Sequence, residues 1–420
     1  MKPHSSSARF LFGLVGPVLL IAGFGVSLGP EKAWAQEDEA TQSLRTFGYI
    51  DHPAEPDGRR QKAGLQGKPG RRIAPGSTLI TVIPEARAFL IDNDGRTLRR
   101  WSDPEAAAWP RAELLPSGDL LAVGIAPAPD GSRPGLRPGY LARYDWRGNR
   151  SWHRDLPVHH DVDVLPDGRI WTLGQHHREV DLGALGKRRL IDNTLLLLSS
   201  EGELLKELSL YDLVHSAPER FRPRRSAGFA GAVDRSGALD LLHTNAVAAM
   251  PFPELTGRDA IYCRSCVLVT FRHQDLVAVF DTERELLVWA WGPGELQFPH
   301  EGTWLENGRL LIFDNGSAKR GYSRIVELDP VRRAVTWTYR ASNPRDFFTS
   351  GRGTAHALPN GNVLIASSNQ SRISEVTRDG RLVWRYVVRG RNGKLVTMRA
   401  RKYPPGRIPG LPVSAEGSPD

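Results

Sequence analysis

The sequence predicts an all-β protein: a six-bladed β-propeller with four-stranded blades and a funnel-shaped site on its axis. Three observations carry that expectation. Six apolar alternating runs each meet an acidic or polar turn and then a second run that usually carries Trp, over 89–101, 141–152, 195–208, 277–289, 325–337 and 373–384. Four openings share one turn, at Leu115-Pro116-Ser117-Gly118, Leu165-Pro166-Asp167-Gly168, Leu305-Glu306-Asn307-Gly308 and Leu358-Pro359-Asn360-Gly361. The 420 residues include 42 Gly and 31 Pro, and no long run with helical periodicity stands out. Pro-Asp-Gly and Pro-Asn-Gly between apolar residues signal hairpins, since Gly and Asn accept positive φ. Two hairpins make four short strands, and a repeat of roughly 45 to 50 residues that closes on Trp is a propeller signature.

The N-terminus reads as an export signal. Lys2 and Arg9 precede an uncharged stretch over 10–28, and Ala33-Trp34-Ala35 before Gln36 has the small-x-small form of a cleavage site. Residues 1–35 are therefore expected to be a signal peptide. An uncleaved N-terminal membrane anchor is the alternative, because the uncharged stretch nearly reaches bilayer length. Pro17 and the glycines favour cleavage. Either way the propeller is periplasmic or secreted, with membrane attachment only if the segment is retained. Residues 36–73 read as a flexible linker and 74–390 as the propeller. An insertion over about 175–235, rich in Arg, Gly and Pro, is expected to form loops on one face, and 391–420 is expected to be a C-terminal tail.

Net charge is +9, of which the first 35 residues contribute +2, leaving +7. Export and the scatter of Arg without interleaved aromatics argue against nucleic acid, whereas a basic surface draws small anions. The two cysteines, Cys263 and Cys266, cannot complete a tetrahedral zinc site alone, and in an exported protein a disulfide is expected.

Three histidines sit in related contexts, in Val158-His159-His160-Asp161, Leu242-His243-Thr244-Asn245 and Pro299-His300-Glu301-Gly302. His160 lies eight residues before Gly168 and His300 eight before Gly308. A histidine recurring in one frame of a repeat that closes on an axis points to a single multi-histidine site. His356 is five residues before Gly361, out of that frame. His176 and His177 lie in the insertion, and strand alternation would turn His273 away from Arg272. His176, His177 and His273 are not expected in the chemistry. The closing tryptophans read as blade-packing residues.

With Arg272-His273 and Phe313-Asp314-Asn315-Gly316 added, and Tyr322-Ser323-Arg324 leading into a strand, the order and spacing of these pieces resemble the arylsulfate sulfotransferase family over roughly 75–388. These are exported bacterial enzymes that move a sulfuryl group between phenols without a nucleotide donor. The resemblance implies a six-bladed propeller and a ping-pong reaction, with His300 as nucleophile and His160, His243 and Arg272 as further catalytic residues. Asn245, Asp161, Glu301 and Thr354 (or Thr349 in its place) are expected to line the substrate site. The implied partners are an aryl sulfate donor and a phenol acceptor, with no metal and no cofactor.

Elementary chemistry agrees. Sulfuryl transfer develops negative charge on equatorial oxygens and on the departing phenolate, so positioning and electrostatic stabilisation dominate, as in phosphoryl transfer. A neutral imidazole is a competent covalent nucleophile, and Arg offers a planar fork of donors. No P-loop-type glycine motif is present. The chain departs from the family at Glu301, after the nucleophile, and at Phe271, before Arg272. It also lacks the prototypes' N-terminal β domain, so dimerisation by that route is not expected and homo-oligomer formation stays open. Two other classes remain: a metalloenzyme using His160, His243 and His300 with Glu301 or Asp161, and a non-catalytic exported binding propeller.

Overall fold

A computed structural model of the chain describes residues 62–411, apart from 84, 128–138, 183–185, 224–233, 235, 391–396 and 409–410. The expected signal segment and most of the linker lie outside the described residues. No helix among the described residues is long and apolar enough to cross a membrane.

The described chain is a six-bladed propeller of antiparallel four-stranded sheets. Blade 2 comprises strands Ala108–Leu114, Leu120–Ile125, Gly139–Tyr144 and Arg150–Asp155. Blade 3 comprises Val158–Val164, Ile170–Asp181, Lys187–Leu198 and Leu204–Ser209. Blade 4 runs through Thr244–Ala249, Cys266–Phe271, Leu276–Asp281 and Leu286–Trp291, and blade 5 through His300–Trp304, Leu310–Asp314, Arg324–Asp329 and Ala334–Tyr339. Blade 6 holds Thr354–Ala357, Val363–Ser367, Arg372–Val376 and Leu382–Val387, with Gly64–Leu65 added at its outer edge. Blade 1 takes three strands from the start of the propeller, Ser77–Ile83, Arg87–Ile91 and Thr97–Ser102, and its inner strand, Thr397–Tyr403, from the far end. That last strand lies in the stretch expected to be a tail. Its full seven-residue pairing with Ser77–Ile83 closes the ring.

The repeat's sequence marks have plain structural jobs. In all four opening turns the Gly sits at positive φ, between 78° and 88°, and its N–H donates to the Leu carbonyl three residues back at 2.8–2.9 Å. The closing tryptophans tie neighbours together. Trp101, Trp289, Trp337 and Trp384 donate their indole N–H to the Asp145, Pro330, Arg378 and Asn93 carbonyls, each in the outer turn of the next blade.

Blade 3 differs from the expected insertion. Ile170–Asp181 and Lys187–Leu198 pair along twelve residues, while the inner strand Val158–Val164 stops at Gly174. Residues 175–181 and 187–193 thus form a two-stranded arm above the histidine end, about 23 Å long at ~3.3 Å per residue. Its alternation is masked by charge, which is why composition alone reads as loop. Helix α1, Leu210–His215, follows the blade and is N-capped by Ser209.

Cys263 and Cys266 are joined in a disulfide at the entrance to the strand that delivers Arg272.

Candidate functional site

The site sits where inner strands are irregular. In blade 4, Thr244 faces Phe271 and Ala246 faces Thr270, so Asn245 is an extra residue. In blade 5, His300 faces Phe313 and Gly302 faces Ile312, leaving Glu301 extra. In blade 3, His159 faces Leu173 and Val162 faces Thr172, with His160 and Asp161 between them. Such bulges re-aim side chains. His160, His243 and Glu301 have φ of 61°, 48° and 34°, a region that costs a non-glycine residue about 1–3 kcal/mol. The inner strands of blades 1 and 6 pair without a break.

Hydrogen bonding fixes the proton positions on four imidazoles. His159 Nε2 faces the Gly174 carbonyl at 3.1 Å, so it must donate. Its Nδ1 then accepts, at 2.6 Å, from His160 Nδ1–H. His160 is left with its Nε2 lone pair toward the site. His300 Nδ1 lies 2.7 Å from Asn315 Oδ1, whose amide nitrogen donates to the Thr349 and Arg352 carbonyls. Asn315 therefore presents its oxygen, and His300 Nδ1 carries the proton. His300 Nε2 keeps a lone pair, which accepts the Arg352 backbone N–H at 2.9 Å. Attack from this atom requires that hydrogen bond to open. His243 Nδ1 donates to Asp240 Oδ2 at 2.5 Å.

Burial and neighbouring charges keep the His300, His160 and His159 rings neutral. Burial, with Arg272 and Arg399 nearby, holds His300 well below the usual imidazole range. Burial, with His159 and His243, does the same to His160. His159 is lowered to about 4, mainly by burial. The rings of His160 and His243 are 5.3 Å apart. Arg272 stacks over Phe298, two residues before His300, at 5.2 Å. Three histidines and one arginine that the sequence singled out thus share one neighbourhood.

Immediately below, an ion network crosses the axis. Arg111 reaches Asp161 at 3.2 Å, Glu301 at 3.1 Å and Glu113 at 3.4 Å. Arg399 approaches Asp161 at 3.7 Å, and His356 approaches Glu301 at 3.4 Å. Inner strands of blades 1, 2, 3, 5 and 6 meet there. Burial alone would raise the Glu301 carboxyl, but His356 and Arg111 pull it down to about 2. Asp161 and Glu301, expected to line the substrate site, are held in this network. Asn245 donates to the Pro299 carbonyl at 3.0 Å, anchoring the residue before His300. Thr354 gives its hydroxyl to the Ala400 carbonyl at 3.1 Å, and Thr349 to Asn369 at 2.7 Å.

Several residues escaped sequence reasoning. Arg111 lies seven residues before Gly118, the frame that Asp161 and Glu301 hold before their own glycines, so the repeat did carry its signal. His273 was expected to face away. Arg272–Gln274 is a 3-10 turn rather than strand, and it stacks the His273 ring 4.4 Å from His243. Asp240 sits in the insertion's return, outside any repeat frame. Asp240, His243 and His273 offer atoms within 4.8 Å of one another that could hold a metal, a different set from His160, His243 and His300. Hydrogen bonds already join them, since Asp240 binds His243 and its carbonyl accepts His273 Nδ1–H at 2.7 Å. The adjoining Arg272 further disfavours a cation.

No curated protein matches the chain. Similar solved structures include a protein of unknown function from Bacteroides caccae, 12% identical with TM-score 0.48, covering 78% of this chain and 99% of that one. A streptogramin B lyase is 12% identical with TM-score 0.42, covering 81% and 97%. Virginiamycin B lyase from Staphylococcus aureus is 12% identical with TM-score 0.42, covering 79% and 90%. The family model for arylsulfotransferase (ASST) matches residues 128–389. That span takes in His160, His243, Arg272 and His300, and the chain therefore belongs to the arylsulfotransferase family.

Proposed function

We propose that this protein moves a sulfuryl group from a phenolic sulfate ester to a phenol, without a nucleotide donor such as PAPS, by a ping-pong reaction through a sulfohistidine at His300. One observation carries the reading. His300 is buried and neutral, with Nδ1–H tied to Asn315, so its Nε2 is the one ring atom with an electron pair for sulfur. Asn315 also stabilises the positive charge the ring acquires when Nε2 bonds to sulfur. Arg272, next to Phe298, supplies donors for the sulfuryl oxygens. His160 and His243 stand on blades 3 and 4, where they handle oxygens or the phenol proton. Asp161 and Glu301 hold the strands that carry the histidines, and Asn245 and Thr354 fix the backbone around them.

The export reading extends to this proposal: a periplasmic or secreted enzyme whose basic surface draws anionic sulfate esters. The test is transfer from 4-nitrophenyl sulfate to phenol with no nucleotide present, followed as nitrophenolate release and phenyl sulfate formation. Parallel double-reciprocal plots are expected. Absence of transfer across a panel of aryl sulfates and phenols would overturn the assignment.

A further inference from the structure

Resting on that reading, we infer that Asp240 is a positioning residue that makes His243 the proton carrier of the reaction. Asp240 grips His243 twice. Oδ1 accepts the His243 backbone N–H at 3.1 Å, and Oδ2 accepts the ring Nδ1–H at 2.5 Å. The ring can therefore turn only its Nε2 to the site, and that atom is buried without a hydrogen-bond partner in the protein. His160 has a different backing. Its Nδ1–H meets the lone pair of neutral His159, which in turn ends on a carbonyl.

The groups facing His243 are Asp240, His273, His159, His160, His300 and Arg272. Only Asp240 is negative. Burial pushes its carboxyl up, yet the hydrogen bonds it accepts from His243 keep it the carboxylate. Binding a sulfate monoester brings an anion against a ring that already has a carboxylate on its far side. His243 then takes up a proton from solvent on Nε2 and donates it to the ester oxygen.

The steps balance. The His300 Nε2 pair forms the N–S bond, and the S–O bond breaks with its pair going to the aryl oxygen. That oxygen takes the His243 Nε2 proton and leaves as neutral phenol. In the second half the incoming phenol gives its proton to His243 Nε2, its oxygen bonds to sulfur, and the N–S pair returns to His300.

A proton carrier matters most when the leaving phenolate is basic, which a merely structural residue would not sense. The experiment compares wild type and Asp240→Asn on 4-nitrophenyl sulfate and phenyl sulfate, with melting temperature as the fold control. The amide keeps the backbone hydrogen bond and removes the charge. Expected is a loss of only a few-fold with the nitrophenyl donor but on the order of 10²-fold or more with the phenyl donor, the scale of general acid catalysis. His243→Gln should show the same donor dependence, and adding Asp240→Asn to it should cost little more, since the pair acts as a unit. If Asp240→Asn does not fold, His243→Gln on the two donors decides alone. An equal loss on both donors overturns the inference while wild-type transfer leaves the proposed function standing. Inactivity of wild type on both donors would instead remove the proposed function itself.

Discussion

Two buried clusters lie one residue apart along the chain and behave oppositely. His160 and His300 belong to the mouth, and their successors Asp161 and Glu301 belong to the axial network. In the network the charges are opposed pairwise: Arg111 alone meets three carboxylates within 3.4 Å. In the mouth, burial strips charge from the rings, and neutral partners (Gly174, His159, Asn315) hold them. Bulges make the division, because one extra residue on an inner strand sends adjacent side chains to different places. The difference separates two tasks. The network locks the blades around the axis, and the mouth turns imidazole lone pairs inward.

The largest effect that would sharpen this contrast is at the mouth. His300→Ala should abolish transfer altogether, measured as nitrophenolate release, with little change in melting temperature. Arg272→Ala should keep the nucleophile and lose donors to the sulfuryl oxygens, lowering kcat by about 10²- to 10³-fold, as for a lost oxyanion donor. Arg111→Met belongs to the other region. It leaves buried carboxylates without their cation and should destabilise the fold by about 3–5 kcal/mol in denaturant titration. Activity per folded molecule should fall far less than in Arg272→Ala. If Arg111→Met instead spared stability and destroyed turnover, the division between network and mouth would fail.

Acidification provides a subtler test. His159 and His273 are lowered to about 4 and about 3, chiefly by burial, and His160 and His300 are lowered too. The unfolded chain binds protons on these rings near pH 6.5 while the folded chain does not. Stability is therefore fully present above pH 6.5 and falls as pH drops toward 4, by about 1.4 kcal/mol per pH unit for each ring. Asp163 works against this. Burial raises its carboxyl to about 6, so its contribution is present below pH 3.8 and lost as pH rises through 6. Burial raises Asp161 as well, but four rings outweigh two carboxyls, and melting temperature should fall between pH 7 and pH 4. The smallest effect is Trp337→Phe, which removes one indole hydrogen bond to the Arg378 carbonyl between blades 5 and 6 and should cost about 1 kcal/mol.

Much of this was legible in the sequence, because a repeat states its frame several times. The Leu-Pro-Asp-Gly turns, the closing tryptophans and the paired frame of His160 and His300 gave the blades and most of the mouth. Residues tied to one blade were harder to see. Asp240 reaches His243 through the insertion's return, and His273 through a 3-10 turn whose counterpart in blade 6, Ser368–Gln370, carries no histidine. The strand Thr397–Tyr403 carries Arg399, Arg401 and Lys402 and so looks like a basic tail. Arg399 and Lys402 are buried, against Asp161 and Glu375, and the part-exposed Arg401 pairs with Glu113, partners that the closed ring brings near.

The central claim is the covalent intermediate, and intact mass tests it most directly. Wild-type protein exposed briefly to 4-nitrophenyl sulfate without acceptor should gain one sulfuryl group, mapped to the peptide containing His300 and discharged by added phenol. His300→Ala should gain none. Wild type that turns over while staying unmodified, or a sulfuryl group that persists in His300→Ala, would contradict the account.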